Sequence, residues 1–164
     1  MAKRLTKDAL LLACALVIYV LEAQLPPIVP LPGVKLGLAN IITVYALFRI
    51  GAKDALAIFV CRVLLSAFFG GNWMALAYSL GGGLCCYGAM LLLRRFLTDR
   101  QIWAASAVGA VFHNIGQTLV AMLLLRTAAV AVYLPVLVAS GVVTGVFTGL
   151  CAQLLAKRLG RAKK

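Results

Sequence analysis

Apolar sequence dominates this chain so completely that it leaves almost nothing with which to face water. Six apolar runs follow one another, separated by short polar or glycine- and proline-rich breaks. Of 164 residues, 64% are hydrophobic and 12% are charged, and the mean hydropathy is +1.05. Soluble domains carry about 25% charged residues. A helix that crosses a bilayer needs roughly 20 residues, so the length accommodates six spans and short connections. The reading is an all-α, polytopic membrane protein with a single integral membrane domain. There is no room for a separate soluble catalytic domain.

The runs cover about residues 8–24, 36–50, 54–69, 73–93, 101–125 and 130–156. The first follows the basic start Lys3, Arg4, Lys7. It has no small-residue cleavage pattern after it, so it is read as an uncleaved first helix. Pro26, Pro27, Pro30 and Pro32 break the chain next. Each proline lacks an N–H and restricts the residue before it, which excludes helix there. This segment, ending at Gly33, is expected to be an ordered or re-entrant loop over the top of a short second run.

The net charge of +12 is arranged in small groups at the run edges. With six spans and a cytoplasmic N-terminus, 13 of the 16 Lys and Arg residues fall on the inside. Only Lys35 and Arg126 fall outside, and Arg62 lies mid-span. Lys and Arg excess on short loops sets orientation, so both termini are expected in the cytoplasm of a multi-pass cell-membrane protein. The same grouping argues against nucleic acid, which requires a continuous basic face.

Five cysteines, Cys14, Cys61, Cys85, Cys86 and Cys151, lie inside apolar runs without metal-site spacing and read as small packing residues. Close helix contact in lipid needs small residues. Gly141, Gly145 and Gly149 form a double GxxxG. Ala75, Ser79 and Gly83, then Ala105 and Gly109, then Ala9 and Ala13, repeat the four-residue spacing. Each stripe fits either packing within one bundle or contact with another subunit.

Polar groups inside the runs carry the functional signal, since a charge at mid-bilayer costs about 2.5–3.5 kcal/mol on insertion scales. Arg62 is central in the third run; His113, Asn114 and Gln117 are central in the fifth, with 113 and 117 one turn apart. Glu22, Lys35, Asn40, Asn72 and Tyr133 belong to the outer half. Facing inward together, these nine residues would form a polar pocket open to the outside. The competing structural reading pairs Arg62 with Glu22 or helix carbonyls and leaves His113 as a satisfied core residue. Metal is not expected, with one histidine and no second ligand at a fitting spacing. Neither is a cofactor. The four acids, Asp8, Glu22, Asp54 and Asp99, are scattered, so no pair can hold Mg²⁺ against a diphosphate. There is also no Walker A loop. The chain is therefore read as a non-enzyme.

The segment Pro32-Gly33-Val34-Lys35-Leu36-Gly37-Leu38-Ala39-Asn40-Ile41 resembles the signature of the Gx transporter family, which is also labelled heptaprenyl diphosphate synthase component I. Glu22, Arg62-Val63-Leu64-Leu65, Tyr78-Ser79-Leu80-Gly81-Gly82, His113-Asn114-Ile115-Gly116-Gln117, Tyr133-Leu134-Pro135-Val136-Leu137, Ser140-Gly141 and Thr144-Gly145 extend the match over nearly the whole chain. The family is similar to the substrate-binding S components of energy-coupling factor (ECF) transporters. That resemblance implies a six-helix bundle that captures a small solute from outside. It implies a transmembrane T component and two ATPases as partners, beside the surrounding lipid. It also implies a docking face on helix 1, which Ala9 and Ala13 match.

On this basis Arg62, with Lys35, is expected to hold an anionic group. Asn40, His113, Asn114 and Gln117 would bond the rest under the 26–33 loop. The expected solute is a vitamin, a cofactor precursor or an isoprenoid-related compound. The alternative is a non-catalytic membrane subunit of a prenyl diphosphate or quinone pathway enzyme, or of a membrane redox complex.

Overall fold

A computed structural model describes residues 2–24, 37–71, 73–98 and 100–161. Lys35, Asn72 and the 26–33 loop lie outside the described residues. The described chain is helical, with no strand among the described residues: α1 (Ala2–Gln24), α2 (Asn40–Arg49), α3 (Ala52–Gly70), α4 (Trp73–Leu93), α5 (Ile102–Leu125) and α6 (Leu134–Arg161). A 3-10 turn, Ala128–Tyr133, leads into α6.

These boundaries depart from the sequence expectation at identifiable points. The first helix begins six residues earlier than the apolar run, because its basic start is helical too. The second begins at Asn40 instead of residue 36. Gly37 has φ +68 and opens a turn, with its carbonyl accepting from Asn40 N–H at 2.9 Å. A left-handed residue cannot continue a right-handed helix, so the apolar run and the helix start at different places. The sixth begins at Leu134, since residues 128–133 take the tighter turn.

Among the described residues, three helical segments are long and apolar enough to cross a membrane: Trp73–Leu93, Ile102–Leu125 and Ala128–Leu159, which takes in most of α6. Their outward faces are apolar, with Leu84, Leu92, Leu123, Val143 and Leu154 all exposed. A surface like that suits lipid and would aggregate in water.

α4, α5 and α6 pack as an antiparallel block with glycine at nearly every crossing. A Cβ on Gly145 would lie 2.8 Å from Ala107 Cα and 2.9 Å from the Ser106 carbonyl oxygen. One on Gly149 would lie 2.6 Å from Trp103 Cα. The double GxxxG of α6 is thus spent within the bundle, against α5. Buried Ser106 and Thr148 share a 3.2 Å hydroxyl contact in the same interface. On the other side of α5, Gly109 meets Met90 and Cys86 of α4, and Gly116 meets the Gly81 carbonyl.

α2 is different. Ile42 to Leu47 are all buried, so this helix is apolar and enclosed on every side. It packs between α3 and α6 and touches α1 and α5. Ten residues span about 15 Å, half of a ~30 Å hydrocarbon core. At the basic end of the bundle, Arg4 of α1 forks onto Asp54 of α3 at 2.9 and 2.7 Å.

The glycine contacts give a paired prediction. Gly145→Leu forces α5 and α6 apart, because the nearest atoms are the rigid Ala110 Cβ and the α5 backbone, and lowers stability by at least the ~1–3 kcal/mol of an overpacked core. Gly88 of α4 has nothing within 4 Å of the Cβ position, so Gly88→Ala leaves the melting temperature in detergent unchanged or raises it. A thermal denaturation series reads both.

Candidate ligand-binding site

The site lies toward the end of the bundle opposite the basic residues, and Arg62 is its centre. Arg62 is 8% exposed. One guanidinium nitrogen donates to Asn40 Oδ1 across the α2–α3 interface at 3.0 Å. The guanidinium carbon lies 5.9 Å from the centroid of the Phe59 ring, one turn back on α3. The Glu22 carboxylate of α1 acts on it through space. Its Nε–H is buried and has no hydrogen-bond partner among the described residues. Buried polar groups are nearly always paired, and an unmet donor on a charged side chain is costly. Among the described residues this nitrogen is the unmet donor of the guanidinium.

Glu22 does a second job. Its Oε1 accepts from the Gly37 N–H at 2.6 Å, which ties the end of α1 to the turn before α2. The left-handed φ of Gly37 presents that N–H, and any residue with a Cβ would be strained there.

Above Arg62 is a cleft of about 190 Å³ between α1, α3 and α4. Tyr19, Ser66, Ala67, Gly70, Ala75, Leu76 and Ser79 line it. Ser66 and Gly70 continue the face of α3 that carries Arg62, at steps of four residues. The charge sits below this cleft, one helical turn from its wall.

On the other side of Asn40 is a void of about 10 Å³, lined by Asn40, Thr43, Phe59, Gly83, Cys86, Tyr87, Met90 and His113. That is the size of one water molecule. Thr43 Oγ1 is buried there without a partner among the described residues. Phe59 enters beside Gly83 and closes the gap between α3 and α4, since only glycine leaves room for the ring. His113 backs onto Gly82, with Gln117 one turn further along α5.

The nine expected residues therefore divide. Glu22, Asn40 and Arg62 come together at one junction. His113 joins Asn40 around the small void, and Gln117, one turn further along α5, lines neither cavity. Asn114 turns toward α6 instead: its amide donates to the Leu137 carbonyl and fills the space that Gly141 leaves. There it acts as a clamp between helices. Tyr133 is 51% exposed on the turn before α6 and lines neither cavity. Lys35 and Asn72 lie outside the described residues.

The sequence reading missed Tyr19, Ser66 and Thr43, and took Ser79 only as a packing residue. Single hydroxyls in apolar helices are common, so the usable signal was spacing: Ser66 lies four residues beyond Arg62. Ala9 and Ala13 are exposed on α1. Among the described residues, no three His, Cys, Asp or Glu side chains gather as a metal site would require.

The family model described as heptaprenyl diphosphate synthase component I matches residues 11–155. The chain belongs to this family. The matched stretch contains every residue of the junction and both cavities. No curated protein and no solved structure matches the chain.

The Arg62–Asn40 bond predicts a non-additive pair. Asn40→Leu strands the guanidinium and destabilises by about 1–3 kcal/mol. Arg62→Met in the Asn40→Leu background recovers part of that loss, because the uncompensated charge leaves with it. Melting temperatures of the four proteins in one detergent close the cycle.

Proposed function

We propose that the chain is a substrate-binding membrane subunit that captures a small anionic solute from outside the cell for uptake. The observation that carries this reading is the buried Arg62, whose Nε–H has no partner among the described residues, one helical turn from the wall of a cleft. A carboxylate or phosphate oxygen that reaches Arg62 supplies an acceptor for that nitrogen. Charges kept inside membrane segments mark ligand and ion pathways as a rule.

In this reading all six helices lie in the membrane, with both termini cytoplasmic. The short α2 reaches only half-way. The protein holds no nucleotide-binding motif, so the energy comes from ECF-type ATPases through a transmembrane partner. The exposed Ala9 and Ala13 face is where that partner docks, because small side chains let a second helix approach closely.

A second reading keeps the words of the family description: a non-catalytic membrane component of a prenyl diphosphate pathway. Co-purification separates the two. An ATPase pair retained by the gently solubilised protein supports transport, whereas a soluble prenyl synthase in its place supports the second reading.

Uptake provides the functional check. Arg62→Ala is expected to abolish accumulation and to lower ligand affinity by at least tenfold, while the protein still reaches the membrane. Ala13→Trp is expected to remove the ATPase partners from the purified complex and to leave ligand affinity intact. Unchanged affinity in Arg62→Ala removes the basis of the proposal.

A further inference from the structure

The cations at the basic end of the bundle are unevenly placed, and one group of them sits among exposed aromatic side chains. We propose that the turn between α4 and α5 binds the headgroup of an anionic phospholipid, through Arg94, Arg95 and Arg100 with Phe96 and Trp103 beside them. This concerns the flank of the bundle and stands independently of solute capture.

Charge is the first support. Three arginines fall within the stretch 94–100. Arg95 and Arg100 are exposed and Arg94 is half-buried. Asp99, in the same stretch, lies outside the described residues, and three arginines against one aspartate leave the turn positive. Elsewhere at this end Arg4 is taken up by Asp54 at 2.7 Å. No ion pair engages Arg94, Arg95 or Arg100 among the described residues. A guanidinium grips phosphate oxygens through two parallel N–H donors, whereas a lysine meets them as a point charge.

The turn is also fixed in shape. Arg94 and Phe96 N–H groups donate to the Met90 and Leu93 carbonyls at 2.8 and 2.9 Å. Gln101 N–H donates to the Thr98 carbonyl at 2.8 Å, and Gln101 Oε1 accepts from Thr98 N–H at 3.2 Å. The Trp103 backbone is backed by α6 at Gly149. Cations carried on an ordered backbone lose less freedom when they bind.

The apolar neighbours select a lipid over a free anion. Phe96 is 76% exposed, and Trp103 and Leu92 are exposed beside it in sequence. Aromatic side chains, tryptophan above all, gather at headgroup level. The opposite end of α4 has a matching rim of exposed Phe68, Phe69 and Trp73. The 21 residues of α4 between these rims span about 30 Å, the thickness of a hydrocarbon core. A phospholipid at the turn therefore has its phosphate level with the arginines and its chains level with the apolar length of α4 and α5.

Native mass spectrometry of the delipidated full-length protein tests this. The probes are palmitoyl-oleoyl phosphatidylglycerol, the matching phosphatidylcholine and inorganic phosphate. One variant combines Arg94→Gln, Arg95→Gln and Arg100→Gln. A second combines Lys7→Gln, Lys157→Gln and Arg158→Gln, which removes the same charge from other exposed positions at this end. Each basic residue beside an anionic surface contributes about fivefold in affinity. The turn variant is expected to bind phosphatidylglycerol at least tenfold more weakly, with phosphatidylcholine unaffected and the second variant close to the unmodified protein.

Equal weakening in both variants means a diffuse attraction and overturns the site. Unchanged phosphatidylglycerol binding in the turn variant overturns it too, and loss of a co-purifying soluble protein from that variant then assigns the arginines to a protein partner. Displacement of the lipid by an equal concentration of inorganic phosphate overturns the choice of lipid in favour of a free anion. None of these results alters solute affinity, so the failure of either proposal is visible without the other.

Discussion

The centre of this bundle is arranged around one charge buried among apolar helices. Arg62 cannot be left unpaired in such surroundings, so α2 supplies Asn40, α1 brings Glu22 near and α3 itself supplies Phe59. Those three contacts fix where α1 and α2 sit relative to α3. They do not exhaust the guanidinium, whose Nε–H remains without a described partner.

The rest of the molecule solves a separate problem, which is cohesion without a hydrophobic driving force between helices. Lipid tails are as apolar as leucine, so association relies on close approach and on interhelical hydrogen bonds. α4, α5 and α6 use both. Glycines bring the backbones together, and Ser106, Thr148 and Asn114 bond across the α5–α6 contact or onto α6 carbonyls. Asn114 therefore belongs with the cohesion of the block, although its sequence neighbour His113 lines the small void.

That difference shows what the sequence could and could not convey. Helix number, the all-helical class and most boundaries were legible, because apolar runs of this length have few other uses. Gly141, Gly145 and Gly149 were legible as a contact stripe, but only the structure assigns them to α5. Arg62 stood out by cost alone, and Asn40 by its place at the start of an apolar run. Asn114 could not be separated from His113, since adjacent helix positions differ by about 100° and periodicity does not say which side faces the pocket. Tyr19, Ser66 and Ser79 form a wall only when three helices are assembled, and no one-dimensional pattern joins α1, α3 and α4. The late start of α2 depended on the backbone angle of Gly37.

The unequal packing of the two halves has a mechanical consequence. Where glycine lets backbones touch, there are few soft side chains to absorb displacement, so α4, α5 and α6 act as one stiff plate. α1 is held instead by the lighter contacts of α2 and α3, by the Arg4–Asp54 fork at one end and by the Glu22–Gly37 bond at the other. Work done on the molecule concentrates in its most compliant part. Because α1 closes one side of the cleft through Tyr19, the wall it forms rests on the lightest packing around that cavity.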